Sequence, residues 1–166
     1  MASIKYGCLT PNPKMVTLPV AASQYFYHNG VNVVYLDGSG YVTLALTATA
    51  TLYGFAVVPT GMGAGSSVNY WLSSATAAAD KIQVIPLSLN PSALFLCPAD
   101  DTATAAMIGN TADLVAVNDG TATYVDVGTT STDVFLIENY GSNPTINAST
   151  TDVVVRINPS KVQADT

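Results

Sequence analysis

Short β-rich runs, each ended by turn residues, recur along almost the whole chain, and this punctuation constrains the fold more than any other feature. Val, Ile, Thr and Tyr gather at 15–20, 25–28, 31–36, 41–46 and 50–58, and again at 68–72, 81–85, 93–97, 113–117, 121–127, 133–138 and 152–157. β-branched and aromatic residues suit a pleated, half-buried surface. Asn29-Gly30 lies between two such runs and predicts a hairpin, because both positions tolerate positive φ. Asp37-Gly38-Ser39-Gly40 and Asn118-Asp119-Gly120 mark further tight turns. Residues 59–67, with Gly61, Gly63 and Gly65, and residues 140–151 read as loops, and 73–80 as a helical turn or a loop. A short helix is expected over 100–110. Asp100 or Asp101 would cap it, Ala103, Ala106 and Met107 would face inward, and Gly109-Asn110 would end it. About ten short strands at regular spacing with one short helix predict an all-β fold, a β-barrel or β-sandwich.

The chain of 166 residues fits one domain over 15–166, or two lobes over 15–67 and 68–158 that share a core. Residues 1–14, with Pro11 and Pro13, read as an extended N-terminal arm. Hydrophobic residues make up 49% and charged residues 10%, against about 25% charged in an average globular chain. The mean hydropathy is +0.34. So Thr, Ser and Asn must cover much of the surface, and part of it is expected to be buried against other proteins.

The net charge is −6, and the five basic residues, Lys5, Lys14, Lys81, Arg156 and Lys161, form no stripe. Nucleic-acid binding needs clustered cations against phosphates, so that class is set aside. The first eight residues carry no apolar core of a signal peptide. The apolar stretch 44–58 contains Thr47, Thr49 and Thr51 and falls short of the ~20 residues a membrane helix needs. Synthesis in a cytoplasm is expected, with Cys8 and Cys97 reduced and packed, although spacing does not exclude a disulfide. Two cysteines and one histidine do not supply a structural zinc set.

Reactive groups do not converge in the sequence. His28 is the sole histidine and sits between tyrosines at an expected hairpin tip, with no nucleophile motif around either cysteine. Asp100-Asp101 is explained by helix capping, and Asn118-Asp119-Gly120 lacks the remainder of a calcium loop. The stretch 61–67 matches neither phosphate-loop pattern. Asn147-Ala148-Ser149 forms a glycosylation sequon without a secretion signal to support it. The nine tyrosines and Trp71 are assigned to core or interface packing, a glycan-binding groove being the lesser reading. The expectation is a protein that is not an enzyme and holds no metal or cofactor.

An internal echo also runs through the chain. Asp37-Gly38, Tyr41-Val42 and Phe55 parallel Asp119-Gly120, Tyr124-Val125 and Phe135, with Tyr-to-Phe gaps of 14 and 11 residues. Hairpins in a Thr-rich β protein share such turn residues, and this is the favoured reading, a true duplication being the lesser one.

Three stretches resemble the small head decoration, or cement, proteins of tailed bacteriophages. They are Tyr35-Leu36-Asp37-Gly38-Ser39-Gly40-Tyr41-Val42-Thr43 with the following Gly54-Phe55-Ala56, Ala106 to Val115 leading to Tyr124-Val125-Asp126-Val127, and Val153 to Ser160. The resemblance implies a structural virion protein on the outer surface of the capsid that clamps neighbouring major capsid protein subunits, often as a homo-oligomer, with a trimer favoured. From the charge pattern and the short apolar stretch, no nucleic-acid partner and no membrane are expected. The acidic balance suits an outer position. The partner-binding residues expected are Ile4, Tyr6, Leu9, Pro11 and Pro13 of the arm, which would lie across a neighbour, and Met62 of the glycine-rich loop. Other readings are a tail-tube, head-fibre or minor capsid subunit, and a glycan-binding β-sandwich.

Overall fold

A computed structural model describes residues 6–28, 30–58, 70–116, 118, 123–140 and 152–163. It is nearly all β, in three antiparallel sheets, with no helix of seven or more residues among the described residues. The strands are β1 (Gly7–Cys8), β2 (Val16–Pro19), β3 (Tyr25–Tyr27), β4 (Val33–Leu36), β5 (Val42–Leu44), β6 (Gly54–Val57) and β7 (Tyr70–Leu72). They continue as β8 (Lys81–Pro86), β9 (Phe95–Pro98), β10 (Thr111–Val115), β11 (Tyr124–Asp126), β12 (Phe135–Tyr140) and β13 (Asp152–Ile157).

The first large sheet has the order β2-β8-β6-β4-β5, the second β1-β9-β13-β12-β10-β11, and β3 pairs with β7 in a short ribbon. After β1, which belongs to the second sheet, the chain builds the first sheet and returns to the second between Pro86 and Phe95. The first sheet curls until its ends meet, and in the second β11 curls back to β9, with β1 as a further strand on β9. A parallel bridge joins Val20, just past β2, to Val42 of β5, and the Ala21 N–H donates to Val42 O. A parallel bridge joins Ala99, just past β9, to Val125 of β11, and the Asp100 N–H donates to Val125 O. Closure removes free edges that would otherwise invite pairing with other chains.

Two hydrophobic clusters follow from this arrangement. Strands alternate their side chains between faces. Val34, Ala56 and Val84 fill the interior of the first sheet, together with Val20, Val42 and Ile82. Their neighbours Val33, Phe55 and Ile85 face outward into the larger cluster, built mostly from the inner face of the second sheet. This double burial explains why β4 and β6 read as continuous apolar runs, whereas β8 alternates at Lys81 and Gln83 before its buried end. Phe55 and Phe95 stack where the sheets meet, with centroids 4.5 Å apart and planes 7° from parallel.

The two chain ends cross over. β1 pairs with β9 in the second sheet. The other end forms a 3-10 turn over Pro159–Lys161, with the Asn158 side chain accepting the Ser160 N–H. It returns to the first sheet, where Leu52 N–H donates to Lys161 O and Gln163 N–H to Leu52 O. The Gln163 side chain accepts from Leu36 N and donates to Leu36 O.

Two local expectations are corrected. β3 pairs with β7 and β4 with β5 and β6, so no hairpin joins β3 to β4 across Gly30. Instead the Asn32 amide accepts from Tyr27 N and donates to Tyr27 O, occupying the edge of β3. Gly30 is needed for space, since a Cβ there would lie 2.6 Å from Thr123 Oγ1. The helix over 100–110 is a single 3-10 turn, Ala105–Met107. Neither aspartate caps it. Asp100 Oδ1 accepts from Val127 N and Asp101 Oδ1 from Thr102 N. Ala103 is buried and Met107 packs on the core, but Ala106 is exposed. Thr102 and Thr104 weaken helix formation, and the segment is drawn onto β12, with Gly109 N–H donating to Ile137 O and Ile137 N–H to Asn110 O.

Candidate interaction surface

The described part of the arm is fastened to its own second sheet. Tyr6 OH donates to Asp152 Oδ1 at 2.6 Å, and Asp152 is 3% exposed. Burial, then the hydrogen bond to Asp152 and its charge, push the Tyr6 phenol well above the ordinary tyrosine value. Gly7 and Cys8 sit opposite Leu96 and Phe95. Leu9 N–H donates to Leu94 O, and Leu94 N–H to Thr10 Oγ1. After a bend at Pro11-Asn12, Lys14 N–H donates to Asn90 Oδ1, and Asn90 Nδ2 donates back to Lys14 O. Segment 9–15 therefore runs along segment 89–94.

These two segments carry three of the large exposed hydrophobics. Leu9 and Met15 are each 47% exposed and Leu89 is 46% exposed. Pro11 and Pro91 are exposed beside them, and Pro13 is half-buried. No acidic side chain interrupts 6–15 or 87–94, and Lys14 is their one cation. The paired segments form a strip, held in shape by main-chain and Asn90 hydrogen bonds, that exposes Leu9, Met15, Leu89, Pro11 and Pro91 with the polar Asn12, Lys14, Ser88 and Ser92 among them. Of the expected partner-binding residues, Leu9 and Pro11 lie open on this strip. Tyr6 is turned inward to Asp152. Ile4 and Met62 lie outside the described residues, as does all of the glycine-rich loop 59–67.

Groups with chemical potential are dispersed. Among the described residues no three His, Cys, Asp or Glu side chains gather as a metal site. His28 is half-buried, and its Nε2 has no hydrogen-bond partner among the described residues. Cys8 and Cys97 are both free thiols. Burial raises both thiols above the ordinary cysteine value, strongly for Cys97. The aromatics face one another. Phe26 stacks on Trp71 with centroids 5.6 Å apart, and Tyr25 meets Tyr70 edge-on at 4.8 Å.

Sequence reasoning missed Asp113. Its carboxylate is 6% exposed and accepts from Ser131 N, Thr132 N, Asp133 N and Thr129 Oγ1. Burial alone would raise its pKa, but the donors from Asp133, Ser131, Thr132 and Thr129 together hold it below the usual carboxylate value. The signal was the run Thr129 to Thr132 between two strands, a loop whose N–H groups need an acceptor. Asp113 shapes a turn and is not part of the strip.

Comparison with protein families, with characterised proteins and with solved structures finds no match to this chain. No helix among the described residues is long and apolar enough to cross a membrane.

Proposed function

We propose that this protein is a structural, non-catalytic virion component that decorates the outer surface of a phage head and binds major capsid protein subunits through the Leu9–Met15–Leu89 strip. The observation that carries the reading is this strip, a partly apolar surface held in fixed shape on a chain with few charges. Ordering costs are already met before binding, so more of the contact energy appears as affinity. The acidic balance and the likeness of 35–43 with 54–56, 106–115 with 124–127, and 153–160 to head decoration proteins support the capsid as partner. Many copies, each bridging subunits of an assembled lattice, stabilise that lattice by mass action even when a single contact is weak.

Because β1 is a strand of the second sheet, removing residues 2–14 also strips cover from Phe95 and Asp152, so truncation does not separate binding from folding. The cleaner test is sedimentation of the intact protein with purified heads. Co-migration with expanded shells and not with unexpanded ones supports decoration. A folded protein that stays in the supernatant with both overturns it.

A further inference from the structure

Leaving aside β1, which adds a sixth strand to the second sheet, the two large sheets have the same strand order, β2-β8-β6-β4-β5 against β9-β13-β12-β10-β11, and the agreement extends to individual residues. In the first, Val16 pairs with Val84 and Pro19 with Lys81, and in the second Phe95 pairs with Val155 and Pro98 with Asp152. Gly54↔Pro86 matches Phe135↔Ile157, and Val34↔Gly54 matches Ala112↔Phe135. Leu36↔Val42 matches Leu114↔Val125, and the closing bridges Val20↔Val42 and Ala99↔Val125 complete both circuits. Counting residues along each strand returns to the starting position in both sheets without a slip, as far as the bulge after Ile137. A slip of one residue anywhere would turn a strand inside out. Each circuit brings six interior residues into correspondence. Val20, Val34, Val42, Ala56, Ile82 and Val84 answer to Ala99, Ala112, Val125, Ile137, Val153 and Val155, and all twelve are buried.

We infer that the two closed sheets are tandem copies of one unit, and that the outer wall of the second copy is a polar cap on the contact that joins them. The explanation by shared turn chemistry does not account for two circuits with one register. Tyr41-Val42 and Tyr124-Val125 fall on corresponding positions, as do Pro19 and Pro98. Phe135 corresponds to Gly54 and not to Phe55, and insertions of different length around the strands account for the unequal spacing.

The joining contact uses unlike surfaces. The outer wall of the first copy, Val33, Phe55 and Ile85, is buried, with Phe55 stacked on Phe95 from the inner face of the second. The corresponding wall of the second copy is Thr111, Leu136 and Arg156, all half-buried. A contact between unlike surfaces of equivalent units leaves the outer wall of the second copy uncovered, so an apolar wall there would be open to a second molecule. Here two of the three wall positions are polar. Thr111 Oγ1 donates to Asp133, and Arg156 pairs with Glu138. Terminal units of repeat proteins end their stacks by the same means.

This inference does not depend on what the protein binds. NMR scalar couplings through hydrogen bonds test the duplication in the intact wild type. Couplings are expected from Ala21 N to the Val42 carbonyl and from Asp100 N to the Val125 carbonyl. Seeing only one of them, or neither, overturns the equivalence. Sedimentation velocity of the Thr111→Val/Leu136→Phe/Arg156→Ile variant tests the cap. The variant is expected to grow in sedimentation coefficient with concentration relative to wild type. A variant with the wild-type circular dichroism spectrum and unchanged sedimentation overturns it. If the triple variant does not fold, Arg156→Ile alone takes its place under the same two outcomes.

Discussion

Replacing Asp113 by Asn tests how the polar interior is held. In the wild type the carboxylate receives N–H donors from Ser131 at 2.7 Å, Thr132 at 2.9 Å and Asp133 at 2.8 Å, with the Thr129 hydroxyl at 3.2 Å. Asn keeps one accepting oxygen and turns an NH2 group toward donors. A hydrogen bond to a charged group contributes about 1.5–3 kcal/mol, and such bonds around one carboxylate are not additive. Loss of the charge and of about half the acceptor capacity is therefore expected to cost about 2–3 kcal/mol at pH 7. The pH dependence has a definite sign. The folded carboxyl has a depressed pKa, so its stabilisation is fully present above the unfolded value of about 3.9 and is lost as pH falls through the folded value. Urea unfolding of wild type and Asp113→Asn at pH 7, 5 and 3 follows this. The two stabilities are expected to differ most at pH 7 and 5 and to converge below about pH 4. A difference under about 0.5 kcal/mol at pH 7, or one that does not change with pH, refutes the reasoning.

Three further outcomes are expected. Phe55→Ala and Phe95→Ala should each cost about 3–5 kcal/mol in chemical denaturation, with a coupling of about 0.5–1.5 kcal/mol in the double-mutant cycle; zero coupling would contradict the stacked contact. Gly54→Val should destabilise by about 2 kcal/mol or more, because a Cβ at Gly54 would lie 2.5 Å from Ile85 O and 2.7 Å from Val84 Cγ1. Thermal unfolding at an unchanged midpoint would count against this. Cys97 should resist a thiol reagent at pH 8 until the protein is denatured, and Cys8 should react slowly, since burial raises both thiols. Rapid native labelling of both contradicts their placement.

Much of the fold was legible, for a local reason. Runs such as 81–85 and 152–157 contain their own strand signal and became β8 and β13. β1 was not legible as a strand, because Gly7-Cys8 has no β-forming run and is extended only by pairing with Leu96 and Phe95. The hairpin at Gly30 failed because tertiary crowding, not turn geometry, selects that glycine. The partner of each strand was also illegible, since the circuits join residues as distant as Leu18 and Ile82. Of the expected binding residues, exposure at Leu9 and Pro11 follows from an arm rich in proline. The inward turn of Tyr6 depends on Asp152, at the far end of the sequence. Met15 and Leu89 entered the surface only when Lys14 was seen against Asn90.

The central claim is that the Leu9–Met15–Leu89 strip is a docking surface. The direct measurement is binding of wild type and a Leu9→Asp/Met15→Asp/Leu89→Asp variant to expanded heads by quantitative co-sedimentation. Each side chain is about half exposed, so the variant should unfold within about 1.5 kcal/mol of wild type. At least a tenfold loss of head affinity is expected in a folded variant. A folded variant that binds as tightly as wild type contradicts it.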